Sequence, residues 1–280
     1  MLPASLTVSI VTFHPDRALL ERCLVTLGAA VAAAKADGAI GAATVALIDN
    51  SQDRAIAEAV GKLAKERLAD SGADVTLISG HSNIGYGAAN NLALHGSGAD
   101  YQLVMNPDIE LHRDALLNAV RWLDGEPEVG AVAAAVTDRG GAALFLCRRY
   151  PAVLDLALRG FAPRFLRELF RKRLDRYQLR DRIDPASDTP VRDIPLLSGA
   201  CMFVRRRAID ATGGFDPKFF LYFEDYDWSV RLNRVTRTAY LPAMRAVHHG
   251  GGAAGKGLRH IAWFARSAAR FYSKHGWRWI

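Results

Sequence analysis

Three carboxylates and six aromatic side chains lie within the segment from Phe219 to Trp228. Carboxylates among aromatic groups lose solvation, which raises their pKa and makes them better proton acceptors. If the segment is helical from Leu221, Asp225 and Trp228 share one face and Glu224 points elsewhere. We therefore expect only one of the two adjacent acids to face a given pocket. An aromatic core patch with capping carboxylates is the alternative, but this crowding of acids favours a function.

The tripeptide Asn106-Pro107-Asp108 follows an apolar run. Pro107 fixes its own φ and biases Asn106 towards extended geometry, so Asp108 is presented just beyond a strand end. A carboxylate there can bind a hard cation such as Mg²⁺ or Mn²⁺, which takes one or two protein carboxylates together with substrate phosphates. Taken alone, the tripeptide is also an ordinary turn.

Two adjacent histidines, His248 and His249, precede the glycines Gly250 to Gly252. Neighbouring side chains in a strand point to opposite sides, so at most one of the two should bind a given ion. With Asp108 and two diphosphate oxygens, one imidazole would help to complete an octahedral shell around Mn²⁺. A lone histidine is more often structural, but the glycines favour a mobile active-site loop.

A run of small residues from Asn83 to Asn91 predicts a loop that opens into a helix. Free backbone N–H groups at such a junction can meet an anion. The run matches neither GxGxxG nor a Walker loop, which argues against a dehydrogenase or an ATPase. A purely structural turn is the alternative.

The segments that must position these residues alternate between apolar strands and helices. This alternation predicts βαβ crossovers and a mainly parallel sheet, with ligands beyond the carboxyl ends of the strands. Polar residues follow three of those ends, at residues 12–14, 49–51 and 106–108, and one nucleotide-sized crevice could collect all three. We predict strands at residues 6–12, 44–48, 74–78, 101–105, 129–136 and 198–204, and helices at 17–34, 54–68, 87–94, 116–123 and 258–275.

The composition fits a folded α/β protein of one large domain with a small appendage, or of two modest domains. The chain has 280 residues, half of them hydrophobic, and a net charge of +7. Three scattered cysteines argue against a disulfide framework or a cysteine zinc site and fit a reducing cytosol. No secretory signal or spanning segment is evident, so we expect a cytoplasmic protein whose membrane contact, if any, is peripheral.

Basic residues concentrate between Arg159 and Arg182, where nine arginines and lysines face three acids. Such a block suits phospholipid headgroups, a lipid-linked pyrophosphate or nucleic acid, and a solvated helix face explains it equally well. From Leu258 to His275 apolar residues recur at helical spacing. We expect this basic, aromatic helix to pack on the main domain, and an interfacial helix on anionic lipid is the alternative.

In their order and separation these elements resemble family 2 glycosyltransferases of the GT-A fold, and most of all the rhamnosyltransferase-type members that build bacterial surface polysaccharides. The resemblance implies an α/β, Rossmann-like nucleotide-diphospho-sugar transferase with a central, mostly parallel sheet flanked by helices. It covers nearly the whole chain, through residues 8–12, 48–51, 83–87, 106–108, 198–200, 213–216, 224–227 and 248–249.

The resemblance also implies roles for individual residues. Asp225 matches the catalytic base. Asn106-Pro107-Asp108 stands where the family has DxD, so with asparagine first Asp108 alone is the carboxylate metal ligand, joined by His248 or, as the fallback, His249. The donor would lie against Thr12, Phe13, His14, Asp49, Asn83, Gly85, Tyr86 and Asn106. The acceptor would lie against Ser198, Gly199, Gly214, Glu224 and Trp228.

We therefore expect an inverting, metal-dependent enzyme that uses Mg²⁺ or Mn²⁺. Its donor would be a nucleotide-diphosphate sugar, with dTDP-L-rhamnose the first candidate, and its acceptor a saccharide, free or lipid-linked. Contact with an anionic membrane is a further hypothesis, and no nucleic-acid partner is expected. The expected domain spans residues 1–255, divided into a nucleotide-sugar half (1–136) and an acceptor half (137–255) with a basic insertion near 159–193, and residues 256–280 form the C-terminal helix.

Two other functions compete with this one. A sugar nucleotidyltransferase also uses a parallel sheet, a diphosphate and Mg²⁺, but it needs a Gly-rich basic loop after the first strand, where this chain has Phe13-His14-Pro15-Asp16. A non-catalytic binder of membrane or nucleic acid would explain the charge and leave the acidic-aromatic segment unexplained.

Overall fold

The structure is a computed structural model that describes residues 2–250 and 257–280. One sheet carries ten strands. They are β1 (Ala4–Thr12), β2 (Ile40–Asp49), β3 (Asp74–Ile78), β4 (Tyr101–Met105), β5 (Ile109–Leu111), β6 (Val129–Thr137), β7 (Ala143–Leu144), β8 (Val191–Arg192), β9 (Cys201–Arg205) and β10 (Arg237–His248).

Ten α-helices accompany the sheet within the described ranges, together with a short 3₁₀ turn at Ala69–Ser71. They are α1 (Arg17–Ala36), α2 (Arg54–Leu68), α3 (Tyr86–His95), α4 (Ala115–Asp124), α5 (Val153–Phe161), α6 (Arg164–Leu169), α7 (Arg171–Tyr177), α8 (Arg206–Thr212), α9 (Glu224–Leu232) and α10 (Leu258–His275).

The N-terminal half of the sheet is parallel, in the order β3-β2-β1-β4. Thr12 pairs with Asp49, so β1 and β2 end at the same level. The next helices start from carboxylate caps, because Asp16 accepts a hydrogen bond from the Leu19 N–H at 3.1 Å and Asp53 accepts one from the Ala55 N–H at 2.8 Å. Strand ends and helix starts therefore meet at one edge, as the alternating pattern predicts.

The second half is mixed, because β9 runs antiparallel between β4 and β6. The predicted strand at 198–204 begins only at Cys201, since residues 198–200 form the turn that enters it. Strand β10 lies parallel to β6 and antiparallel to the short strand β5, with His248 opposite Ile109. This pairing brings the residue before β5, Asp108, next to the end of β10.

Apolar side chains are buried on both faces of the sheet. On β4, Leu103 belongs to a cluster with helices α1, α2 and α4, whereas its neighbour Val104 belongs to a cluster with α8 and α9. The period of two along each strand divides the core in this way.

The C-terminal helix α10 packs on the acidic-aromatic segment. Phe271 is fully buried, and its ring lies 5.4 Å from that of Phe223. Phe264 and Ala268 pack against the same cluster. The expectation that this helix packs on the main domain is confirmed, while the predicted boundary between residues 255 and 256 lies outside the described ranges.

Candidate active site

A cleft of about 1190 Å³ lies beyond the carboxyl ends of β1, β2 and β4. Its wall includes seven of the residues predicted for donor or metal binding, namely Phe13, His14, Asn83, Gly85, Tyr86, Asn106 and Asp108. A nucleotide diphosphate and a sugar fit within this volume, because ligand pockets commonly measure about 300–1,000 Å³.

Thr12 and Asp49 lie buried at the ends of β1 and β2. The Thr12 hydroxyl donates to Asp49 Oδ1 at 2.8 Å, and the Ser51 hydroxyl donates to the same oxygen at 2.8 Å. Ser51 Oγ in turn accepts from the His14 N–H at 2.8 Å. This network holds the loops after β1 and β2 in place. Contact of Thr12 and Asp49 with the base and ribose stays a prediction.

Asn50 was expected at the crevice as part of residues 49–51, but it was given no role of its own. It lines the cleft and is 2% exposed. Its Nδ2 donates to the Gly85 carbonyl at 3.3 Å, and its Oδ1 has no hydrogen-bond partner among the described residues. An unsatisfied buried acceptor costs free energy, so this oxygen is suited to receive a donor group from a ligand.

The glycine-rich loop contacts the acidic-aromatic segment directly. Tyr86 N–H donates to the Phe220 carbonyl at 3.0 Å. A Cβ on Gly85 would lie 2.2 Å from that oxygen, and the φ of Gly85 is +86°. Both the space and the backbone angle therefore require glycine. Asn83 Oδ1 accepts from the Gly85 N–H at 3.0 Å and fixes the loop on its other side.

Asp108 and His248 form a close pair. His248 Nε2 lies 3.3 Å from Asp108 Oδ1. The His249 side chain points away, with Nε2 2.7 Å from Glu110 Oε1, and its Nδ1 accepts a hydrogen bond from Arg139. Only its backbone N–H reaches Asp108, donating to the carbonyl at 3.0 Å. Strand alternation thus separates the two imidazoles and places His248 beside the carboxylate.

The donor set of this pair suits Mg²⁺ or Mn²⁺ that is shared with a diphosphate. One carboxylate and one imidazole leave most of an octahedral shell to substrate oxygens and water. No group of three possible ligands occurs within residues 2–250 and 257–280. A Cβ on Gly250 would lie 2.0 Å from Asp108 Oδ2, so this backbone closes over the carboxylate. Gly251 and Gly252, predicted to form a mobile loop, lie outside the described residues.

The two adjacent acids stand at the first turn of α9, after a strained approach. Tyr222 and Phe223 both have positive φ, at 70° and 64°, which is costly for residues with bulky side chains. Asp225 Oδ2 accepts from the Gly199 N–H at 3.0 Å, and its Oδ1 accepts from the Tyr226 N–H at 2.8 Å. Tyr86 OH donates to the Gly199 carbonyl at 2.7 Å. Asp225 therefore lies behind a residue of the cleft wall.

Burial raises the pKa of Glu224 well above its ordinary 4.5, and the charge of Asp225 raises it further. Burial also raises the pKa of Asp225 above its ordinary 3.8, whereas the N–H groups of Gly199 and Tyr226 lower it. Glu224 Oε2 has no hydrogen-bond partner among the described residues. Because backbone N–H groups donate to both oxygens of Asp225 and Glu224 Oε2 has no such partner, Asp225 is the more acidic of the two.

A family model described as glycosyl transferase family 2 matches residues 10–213, which is more than half of the chain. The chain belongs to this family. A curated relative, the N-acetylglucosaminyl-diphospho-decaprenol L-rhamnosyltransferase of Mycobacterium tuberculosis, is 29% identical over 223 residues, covering 73% of this chain and 69% of that protein. The resemblance to rhamnosyltransferases is thereby confirmed.

Solved structures confirm the GT-A fold. GalNAc-T7, crystallised with UDP, GalNAc and Mn²⁺, superposes with a TM-score of 0.63 at 13% identity, over 97% of this chain and 48% of its own. A mannosyltransferase from Pyrobaculum calidifontis in complex with GDP-Man and Mn²⁺ gives a TM-score of 0.59 at 18% identity, over 97% of this chain and 64% of its own. The chain thus spans about half to two thirds of these proteins, and at such identities the likeness establishes the fold alone.

Two of the five predicted acceptor residues of this family 2 glycosyltransferase lie in its core. Trp228 is fully buried, its ring is 4.4 Å from that of Phe215, and its Nε1 donates to Thr212 Oγ1 at 2.8 Å. Gly214 is buried, and its carbonyl accepts from Arg231 at 2.6 Å. Contact of Trp228 and Gly214 with the acceptor stays a prediction, and it would require these buried residues to become accessible to a saccharide.

The other three acceptor candidates lie close to Asp225. Gly199 donates to Asp225. Ser198 precedes it and is partly exposed, with its hydroxyl accepting from the Ala200 N–H at 3.2 Å. Glu224 is adjacent in sequence but lies beneath the surface, with its Cβ close to Gly87.

Helix α10 supplies a cleft wall that the sequence reasoning missed. His260 and Trp263 line the cleft. Trp263 packs on Phe220 with ring centroids 5.0 Å apart, and His260 Nδ1 lies 2.9 Å from Tyr222 OH. The two residues are three apart, so they share one face of this helix.

Proposed function

We propose that this glycosyltransferase transfers a sugar from a nucleotide-diphosphate donor to a saccharide acceptor with inversion at the anomeric carbon. The proposal rests on two neighbouring arrangements. At the cleft, His248 Nε2 lies 3.3 Å from Asp108 Oδ1. Behind the cleft residue Tyr86, the Gly199 N–H holds Asp225. Separate sites for the diphosphate and for the proton of the acceptor are what a single displacement requires.

In the proposed reaction Asp225 accepts the proton of an acceptor hydroxyl. The freed oxygen attacks the anomeric carbon, and the bond from that carbon to the diphosphate oxygen breaks on the opposite face. Asp225 suits this role because its pKa is raised, which strengthens it as a base, while two N–H donors keep it ionised. Asp108 and His248 would hold a divalent metal, which when bound neutralises charge on the departing diphosphate.

The relative from Mycobacterium tuberculosis supports a more specific reading. Its name describes L-rhamnosyl transfer to a sugar on a lipid diphosphate. We propose dTDP-L-rhamnose as the donor, a saccharide on a lipid diphosphate as the acceptor, and a role in bacterial surface polysaccharide synthesis. A location at the inner face of the plasma membrane belongs to this proposal, and the three cysteines, all buried and unpaired, are compatible with it.

The test is nucleotide release from a panel of nucleotide sugars, with Mn²⁺, with Mg²⁺ and with EDTA. We expect release of a nucleoside diphosphate, fastest with dTDP-L-rhamnose and a lipid-diphosphate acceptor, and abolished by EDTA. Turnover that survives EDTA would refute the metal role. Formation of pyrophosphate from a nucleoside triphosphate and a sugar phosphate would instead establish the nucleotidyltransferase alternative.

A further inference from the structure

Three large apolar side chains project from the surface around α6. Phe161, Phe165 and Leu169 are 69%, 70% and 75% exposed, and α6 buries none of its residues. Phe165 and Leu169 are four apart and share a face of α6. Phe161 is the last residue of α5, and the two extended residues 162 and 163 separate it from α6. Isolated exposed apolar residues are ordinary, but a contiguous group marks a contact surface. We call these three residues the apolar stripe.

The apolar stripe lies within a strongly basic segment. Residues 157–172 carry five cations and a single acid, Glu168, a balance of +5 − 1 = +4. Arg171 pairs with Glu168 at 3.3 Å and with Asp175 at 3.7 Å. The remaining four cations form no ion pair within the described ranges, and they are Arg159, Arg164, Arg167 and Lys172.

Helix α5, which precedes α6, is anchored to the rest of the protein. Asp155, buried near the start of α5, accepts from Arg173 at 2.6 Å and from the Ala152 N–H at 2.8 Å. The Val153 N–H donates to the Arg278 carbonyl at 2.7 Å, and Leu158 is buried. The chain around α5 is therefore tied to α7 and to the C-terminal segment, and it presents the stripe outwards.

We infer that the apolar stripe and its four unpaired cations dock this protein on a bilayer that contains anionic lipid. Apolar side chains would enter the interface while arginines and a lysine meet the headgroups, the combination that interfacial segments use. A second copy of the chain is disfavoured, because a symmetric contact would set +4 against +4. No helix within the described ranges is long and apolar enough to cross a membrane, so the docking is peripheral.

This inference deepens the membrane location in the proposed function, because it names the surface that binds the bilayer, and it can be tested without turnover. It also fits the proposed acceptor, since an enzyme bound to the membrane meets a lipid-linked saccharide in two dimensions.

The test is co-sedimentation of the full chain with phosphatidylcholine vesicles, with and without roughly one third phosphatidylglycerol, at low salt. We expect binding only to the anionic vesicles. Arg164→Gln/Arg167→Gln should weaken it about twenty-five-fold, at about fivefold per arginine. Phe165→Ser/Leu169→Ser should weaken it at least about tenfold.

Two control variants remove the same kinds of side chain, two charges or two apolar groups, from surfaces outside the apolar stripe. Arg54→Gln/Lys62→Gln deletes two exposed charges on α2, and Val25→Ser/Val235→Ser deletes two half-exposed apolar side chains. Both controls should bind anionic vesicles like the unaltered chain, and thermal melting should show every variant folded.

The inference would be overturned if the control variants lost as much vesicle binding as the α6 variants. It would also be overturned if the unaltered chain bound neutral vesicles equally well or bound no vesicles. Displacement from the vesicles by a single-stranded oligonucleotide at equal affinity would overturn it too, and would identify a nucleic-acid surface. Vesicle binding without nucleotide release would refute the proposed function and support the docking surface. Nucleotide release without vesicle binding would support the proposed function and refute the docking surface.

Discussion

Asp225→Asn is the substitution that best separates the roles of the two adjacent acids. Asparagine keeps the size of aspartate, and its Oδ1 can still accept from the Gly199 N–H, which lies 3.0 Å from Asp225 Oδ2. Its Nδ2 then faces the Tyr226 N–H, so that one hydrogen bond is lost. It cannot take a proton from the acceptor. We expect the structure to persist while kcat falls about a hundredfold to ten-thousandfold, or about 3–5 kcal/mol on the barrier.

The matched control is Glu224→Gln. Glu224 is buried with a raised pKa and should keep its proton, so an amide would replace a neutral carboxylic acid. We expect kcat to stay within a few-fold of the unaltered enzyme. The assay is nucleotide release under saturating donor and acceptor, with thermal melting to confirm folding.

The pH profile gives a second readout of the same pair. The base must be ionised to work, and the pKa of Asp225 is raised, so kcat should climb on an acid limb above the ordinary range of aspartate. Glu224→Gln should keep an acid limb and Asp225→Asn should lose it. Near-normal turnover by Asp225→Asn, or a hundredfold loss in Glu224→Gln, would refute the assignment of the base.

Three further predictions concern stability and metal use. The pKa of Glu224 is raised in the folded protein, so above about pH 4.5 the side chain ionises more readily in the unfolded chain, and the folded state loses stability as pH rises. The Glu224→Gln variant avoids this loss. Its free energy of unfolding, measured in urea titrations, should therefore increase relative to that of the unaltered protein between about pH 4 and 7. Gly85→Ala should lower the free energy of unfolding by several kcal/mol, because the added Cβ meets the Phe220 carbonyl. Trp228→Ala should lower it by about 3–5 kcal/mol, because it leaves a cavity in the core. A loss below about 1 kcal/mol in either variant would contradict this packing. His248→Ala should raise the Mn²⁺ concentration needed for half-maximal rate at least about tenfold, whereas the same change at His249 should not, and equal effects would remove the distinction between them.

Local patterns were sufficient for much of the fold. Helix α2 and strands β3 and β4 have the predicted bounds, because each is a periodic run that is closed by a turn or cap. The crevice at the strand ends followed from parallel topology alone, since aligned strands must end at one edge.

The order of the strands in the second half of the sheet could not be predicted, because it depends on pairing between segments that are distant in sequence. Strand β9 inserts antiparallel between two parallel neighbours, and no property of residues 201–205 reports which strands lie beside them. Strand β10 was not predicted because Pro242 and the register shift between Leu241 and Arg245 interrupt its alternation. The closeness of Asp108 to His248 depends on this strand, so the residues alone could propose Asp108 with one of two imidazoles, and only the resemblance selected His248.

Helical spacing alone did not show that Trp228 is buried. It does lie three residues from Asp225, but α9 begins only at Glu224, and Phe215 and Thr212 hold the indole in the core. His260 and Trp263 were missed because α10 is distant in sequence from the rest of the cleft. Each lines the cleft through a contact with a distant segment that periodicity does not encode.

The anomeric configuration of the product tests the central claim most directly. The unaltered enzyme would be incubated with its donor and acceptor, and the configuration of the new linkage assigned from the one-bond carbon–proton coupling at the anomeric carbon in NMR spectra. The account predicts a configuration opposite to that of the donor, together with one released nucleoside diphosphate for each linkage formed. A retained configuration, or release of a different nucleotide product, would contradict it.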